Sequence, residues 1–170
     1  MDPTLTGGAD DLTTRLARLE GEARQNEAKL SRLFEREVAL LSAGTLPQLL
    51  QSLVRETPPV FSIEAATLVV RDQAAVIHSL LELRGDSAGN WPQLIVAQDV
   101  DAVSPLYRGL TKPWLGTFNS EAHGPLFEDD LVIESFAAVP LYCRGERVGV
   151  LNLGSRDSQR YAWGLGTEFF

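Results

Sequence analysis

Gly85-Asp86-Ser87-Ala88-Gly89 carries the G-x-S-x-G spacing of a nucleophile elbow, and Asp99 and His123 follow in the order of a hydrolase triad. An elbow needs a strand running straight into a helix on a parallel sheet, so that the serine hydroxyl is exposed at the turn. Here Ser87 is followed by Gly89-Asn90-Trp91-Pro92, and the flanking segments read as antiparallel hairpins. The motif is therefore read as a flexible turn. His78 and His123 are far apart, with no H-x-x-x-H spacing or cysteine cluster to hold a transition metal. Glu128, Asp129, Asp130 and Glu134 lack the Gly-punctuated alternation of a calcium loop and read as a solvated acidic stretch. Cys143 lies at a strand end beside Arg144 and reads as a small buried apolar residue. These residues assign no catalytic group, no metal and no cofactor.

Chemistry of another kind gathers between Trp91 and Glu134, where aromatic residues alternate with Pro92, Pro105, Gly109, Pro113, Gly116 and Gly124. A strand near Leu94–Ala97 and a short helix near Pro105–Leu110 are expected here, with loops elsewhere. Such loops would roof one face of a sheet, and Tyr107, Trp114, Phe118 and Phe127 are the candidate ligand-binding residues beneath them. The same aromatics would equally complete a plain core.

The elements that position them are legible in apolar spacing. From Leu12 through Leu16, Leu19, Ala23, Asn26, Leu30 and Leu33 the steps alternate between four and three, which is a coiled-coil seam. One helix is expected from Leu12 to Ser42, on the order of 45 Å long, with residues 1–11 flexible. With Leu16 at an a position, Arg15 and Glu20 cross-pair favourably in a parallel dimer, whereas Glu22 faces Glu27. Phe34, Val38 and Leu41 form a second stripe, as if the helix meets a core there. Thr45-Leu46-Pro47-Gln48 fits a capping box. The helix it opens should end near Thr57, because Pro58-Pro59 offers no amide donors. Ala66–Val70 and Val76–Leu83 read as hairpin strands, as do Phe136–Cys143 and Val148–Leu153 around a turn containing Gly145. Pro140 must face an unpaired or bulged part of the sheet.

With 170 residues, one domain and an appendage are expected. A net charge of −8, with no Lys or Arg run, argues against nucleic acid and anionic membranes as partners. The lone Cys143 and the lack of a long apolar stretch suggest a cytoplasmic protein. Leu165–Phe170 looks like the first turns of a helix that continues beyond a truncated end.

Several of these segments also carry a family likeness: Leu33-Phe34-Glu35-Arg36-Glu37, Gly44–Leu50, the Val139-Pro140-Leu141 strand and Val148–Leu153 with Gly154-Ser155-Arg156-Asp157. From about Leu33 to Phe170 the chain resembles a GAF-related proteobacterial family known only as a domain of unknown function. The resemblance implies an α+β fold, with a GAF-like antiparallel sheet carrying helices on one face and a small-molecule pocket on the other. It further implies a homodimer formed through helices, regulating an attached or partner output domain such as a GGDEF diguanylate cyclase or a histidine kinase. Departures limit what it carries. The Asn-Lys-Phe-Asp-Glu set of cyclic-nucleotide-binding GAF domains is missing, and Cys143 precedes Arg144 where bilin-binding members commonly have a His. GAF-type methionine sulfoxide reductases need more than one cysteine.

The reading is thus a non-catalytic sensory module: a coiled-coil helix over 12–42, with Leu12, Leu16, Leu19, Ala23, Asn26, Leu30 and Leu33 at the dimer interface, and a GAF-like domain over 43–170. Its alternatives are a dimerising interaction module with a filled core and no ligand and, last, a serine hydrolase resting on the Ser87 pattern.

Overall fold

The computed structural model describes residues 4–83 and 85–162, so the expected C-terminal helix at Leu165–Phe170 lies outside the described residues. The chain divides into two compact units, Met1–Ser42 and Ala43–Phe170. The first unit is one helix, α1 (Thr4–Leu41), of 38 residues and about 57 Å at ~1.5 Å per residue. It starts eight residues before the expected Leu12, running through Gly7 and Gly8, where a flexible segment was expected. Pairs four apart, Arg18 with Glu22 at 3.2 Å and Glu20 with Arg24 at 3.9 Å, lie along its surface. Phe34, Val38 and Leu41, expected to be covered, are exposed.

In the second unit, Thr45 caps α2 (Leu46–Leu50) by accepting from the Gln48 amide. The Gln48 side chain reaches back to the Gly44 amide at 3.0 Å, one residue before the cap itself. The helical path does not end at Thr57. It continues through a π turn (Gln51–Glu56) into α3 (Thr57–Phe61). Pro58 and Pro59 fall in the first turn of α3, where a helix needs no amide donors. The wider π turn leaves the Ser52 carbonyl to the Thr57 hydroxyl, which donates to it at 3.0 Å.

β1 (Ala65–Arg71) is followed by α4 (Val76–Glu82), where a second hairpin strand was expected. The missed signal is Asp72, whose carboxylate accepts from the Val76 and Ile77 amides at 2.8 and 3.1 Å and so satisfies the helix start. Because α4 is a crossover, β2 (Leu94–Ala97) lies parallel to β1. The remaining strands are β3 (Trp114–Thr117), β4 (Ser135–Cys143) and β5 (Glu146–Ser155), with the short helix α5 (Ser120–His123) after β3. β3 and α5 occupy a stretch expected to be loop, and the expected helix at Pro105–Leu110 is a 3-10 turn over Pro105–Tyr107. The result is an α+β fold whose five-stranded sheet has the order β2-β1-β5-β4-β3 and is mixed, not wholly antiparallel.

The β4–β5 hairpin closes on Arg144-Gly145, both with positive φ, as a two-residue turn matching the strand twist requires. Pro140 lies past Ala138, the last β4 residue that β3 pairs, and beside the register shift at Leu141/Tyr142. Alternation sends Leu68, Leu94, Leu151 and Leu153 toward the helices. Val69, Val150, Phe136 and Ala138 turn to the opposite face, beneath the loops. Gly149 permits the closest approach within the sheet, since a Cβ there would stand 2.5 Å from the Val69 carbonyl oxygen. Gly149→Ala is expected to lower unfolding free energy by about 1–3 kcal/mol, read from the midpoint of urea denaturation at unchanged slope.

Candidate functional site

The loop-covered face of the sheet brings all four candidate aromatics into one apolar cluster. Trp114, Phe118 and Phe127 surround Phe136 of β4, with ring centroids 4.8, 5.6 and 6.0 Å from it. Phe118 and Phe127 meet edge to face at 5.3 Å, a geometry the ring quadrupoles favour. Phe136 itself reads as an ordinary strand residue, and only the register, which sets it opposite Gly154 and Gly116, makes it the hub. A Cβ at Gly154 would stand 2.9 Å from both Ile133 and Phe127 side-chain atoms, so the glycine makes room for them.

Tyr107 belongs to the same cluster but makes a different interaction. Fully buried, it donates its hydroxyl to Asn152 Oδ1 at 2.9 Å, and Asn152 Nδ2 donates to Thr67 Oγ1 at 3.2 Å. Burial pushes the Tyr107 phenol above its ordinary value, with the Asn152 bond opposing the rise. This polar row sits in the middle of β1 and β5, where a polar group is stable only if partnered. Asn152 was visible in sequence as the one polar residue in the Val148–Leu153 run. What it bonds was not.

His123 completes the aromatic wall, 5.0 Å from Phe136 and 5.4 Å from Trp114 by ring centroids. Its Nδ1 accepts from the Asn119 amide at 3.0 Å, which selects the neutral tautomer with its proton on Nε2. Burial lowers its pKa from 6.5. The roof over this wall is held from the hairpin. Arg147 donates to the Tyr107 carbonyl at 2.5 Å and the Leu110 carbonyl at 3.2 Å, and pairs with the Asp101 carboxylate.

Ser87, Asp99 and His123 do not form an elbow or triad, and Cys143, expected to be buried, is exposed at the end of β4. Ser87 lies between α4 and a 3-10 turn (Ala88–Asn90), and the Asp99 carboxylate accepts from the Asp101 amide. Asp86 instead organises its loop, accepting from the Ser87 amide, Asn90 Nδ2 and Trp91 Nε1 at 2.8, 2.7 and 2.8 Å. These bonds hold its carboxyl below the usual range, the Asn90 bond foremost. Trp91 is buried on the helical face, beneath the Arg55 guanidinium at 4.3 Å, and so takes no part in the aromatic wall. Among the described residues no three His, Cys, Asp or Glu side chains converge to hold a metal ion, and no helix is long and apolar enough to cross a membrane.

The Gly154-Ser155-Arg156-Asp157 segment serves the fold. Ser135 donates its hydroxyl to the Asp157 carbonyl at 2.6 Å, the Asp157 amide donates to Ser155 Oγ, and the Arg156 amide donates to Glu64. The sequence model of the family described as "Protein of unknown function, DUF484" matches residues 8–170. The chain belongs to the DUF484 family. No curated protein matches it.

Two consequences follow for this DUF484 protein. Tyr107→Phe leaves the buried Asn152 Oδ1 without its donor and should cost about 1–3 kcal/mol, measurable by urea denaturation. Because the folded-state pKa of His123 lies below that of the unfolded chain, the unfolded chain binds more protons as the medium acidifies. Its contribution is intact above the ordinary value of 6.5 and is lost as pH falls through the depressed one. In thermal melts over that window, the DUF484 chain should lose more stability than its His123→Gln variant.

Proposed function

We propose that this chain is a non-catalytic sensory or regulatory module that pairs through α1 and controls an attached or partner output domain, for example a GGDEF diguanylate cyclase, in the cytoplasm. One observation carries the pairing. The seam positions Leu12, Leu16, Leu19 and Leu30 are each more than half exposed, and Ala23, Asn26 and Leu33 are exposed beside them. A helix of this length with an uncovered apolar seam is stable in water when a second seam closes on it. A second copy of the same chain supplies one of equal length and spacing. Paired rods would then report a change in either globular unit to whatever they are joined to, provided a ligand or partner favours one arrangement over another.

The GAF resemblance enters on the same terms. A five-stranded sheet with helices on one face and loops on the other supports it, and Tyr107, Trp114, Phe118 and Phe127 are then the proposed small-molecule wall. A second reading, a dimerising interaction module without a ligand, is favoured by the way these rings close on Phe136 and on one another. Saturable thermal stabilisation in a metabolite screen separates the two, since only a binder gains stability with ligand concentration.

Pairing is tested by light scattering on the full chain. The expected mass is that of a dimer, reduced to a monomer by Leu19→Glu together with Leu30→Glu while the far-UV spectrum of the globular unit persists. A monomeric unsubstituted chain at tens of micromolar, about the range of a weak coiled coil, removes the proposal.

A further inference from the structure

Between β2 and β3 the chain crosses the sheet as a strap, Val100–Leu110, made of two 3-10 turns. Its amides at Ala102, Val103, Tyr107, Arg108 and Leu110 donate to carbonyls between Asp99 and Tyr107, so these backbone bonds close within the segment. The strap carries its own short-range order and needs no strand ladder to keep it.

Val100, Val103, Leu106, Tyr107 and Leu110 rest on the apolar face of the sheet. Besides the bond from the Tyr107 hydroxyl to Asn152, the polar attachments come from the far end of the β4–β5 hairpin. Arg147 holds two strap carbonyls, of Tyr107 and Leu110, and the carboxylate of Asp101. Tyr142 adds a hydroxyl donated to the Leu110 carbonyl at 3.3 Å. The Arg147 side chain is only 17% exposed, so its bonds are made in a partly dry site where each is stronger than at the surface. The hairpin is irregular here: the register shifts between Leu141 and Tyr142, and Tyr142 then pairs with Arg147. A bulge re-aims a side chain, and here the extra residue is Val148 of β5, next to Arg147, the residue that reaches the strap.

We propose that Val100–Leu110 is a strap that opens and closes as a unit, with Arg147 as its latch. Lifting it withdraws Tyr107 from Asn152 and bares Asn152 and Thr67, two polar side chains set in an otherwise apolar floor. The closed form is the one seen here, with Tyr107 covering that floor. The device stands independently of whether α1 pairs.

Hydrogen exchange read by mass spectrometry on the full chain tests it. Arg147→Gln removes the fork that spans three acceptors, and peptides within 100–110 should exchange about tenfold faster or more, while β1 and β5 peptides keep their protection. Asp101→Asn, which removes one attachment, should speed the same segment by a smaller factor. Arg147→Lys keeps the charge but not the fork and should fall between the two; it serves as the probe if the glutamine variant does not fold. Exchange that rises equally in 100–110, β1 and β5 makes Arg147 a general stabiliser and overturns the proposal. Unchanged exchange in 100–110 overturns it too.

Discussion

β5 is hydrogen-bonded along both edges, to β1 on one side and β4 on the other, and this double pairing is the constraint on which the globular unit depends. Its successive residues point to opposite sides, and in this strand apolar residues stand on both faces. Leu151 and Leu153 must be covered by helices and Val150 by loops. Everything else in the unit is placed by the need to provide those two covers. The helical path Leu46–Phe61 with α4 forms one, and the segments from Val100 to Ile133 form the other.

The two covers are held by different physics. On the helical face, Leu50, Val54 and Leu81 meet Leu68 and Leu94, and the contact is apolar burial with little direction. On the loop face, burial is supplemented by directed bonds. Tyr107 to Asn152, Asn152 to Thr67 and the fork of Arg147 place loop atoms at fixed points over the sheet. Loops have no ladder of their own, so they need such bonds to adopt one arrangement among many of similar burial. That is why polar side chains sit in the middle of this core, and why removing a partner costs more than the bond itself contributes.

α1 obeys neither logic. Its seam is apolar and exposed, and its surface ion pairs add little to a helix in water. The pairing proposed above would cover that seam. The described residues of the globular unit bury their apolar side chains among themselves, whereas the seam of the rod stays exposed.

Local pattern was enough for the rod, the capping of α2 by Thr45, and the β4–β5 hairpin with its Gly145 turn, because each is decided by residues a few positions apart. The clustering of Tyr107, Trp114, Phe118 and Phe127 on one face was also within reach, since proline and glycine mark loops and buried aromatics seek one another. Three matters were not read from the sequence, two of them resting on local hydrogen bonding and the third on tertiary structure. Val76–Leu83 has the β-branched start of a strand, and it becomes α4 because Asp72, four residues upstream, satisfies its first amides. Thr57-Pro58-Pro59 reads as a stop, and it becomes helix because a π turn shifts the bonding so that no proline amide is needed. Phe136, His123, Asn152 and Arg147 acquire their roles from strands and loops many residues distant, joined by register and burial. Spacing along a chain encodes what neighbours can do for each other; which distant groups become neighbours is decided when the two faces of the sheet close.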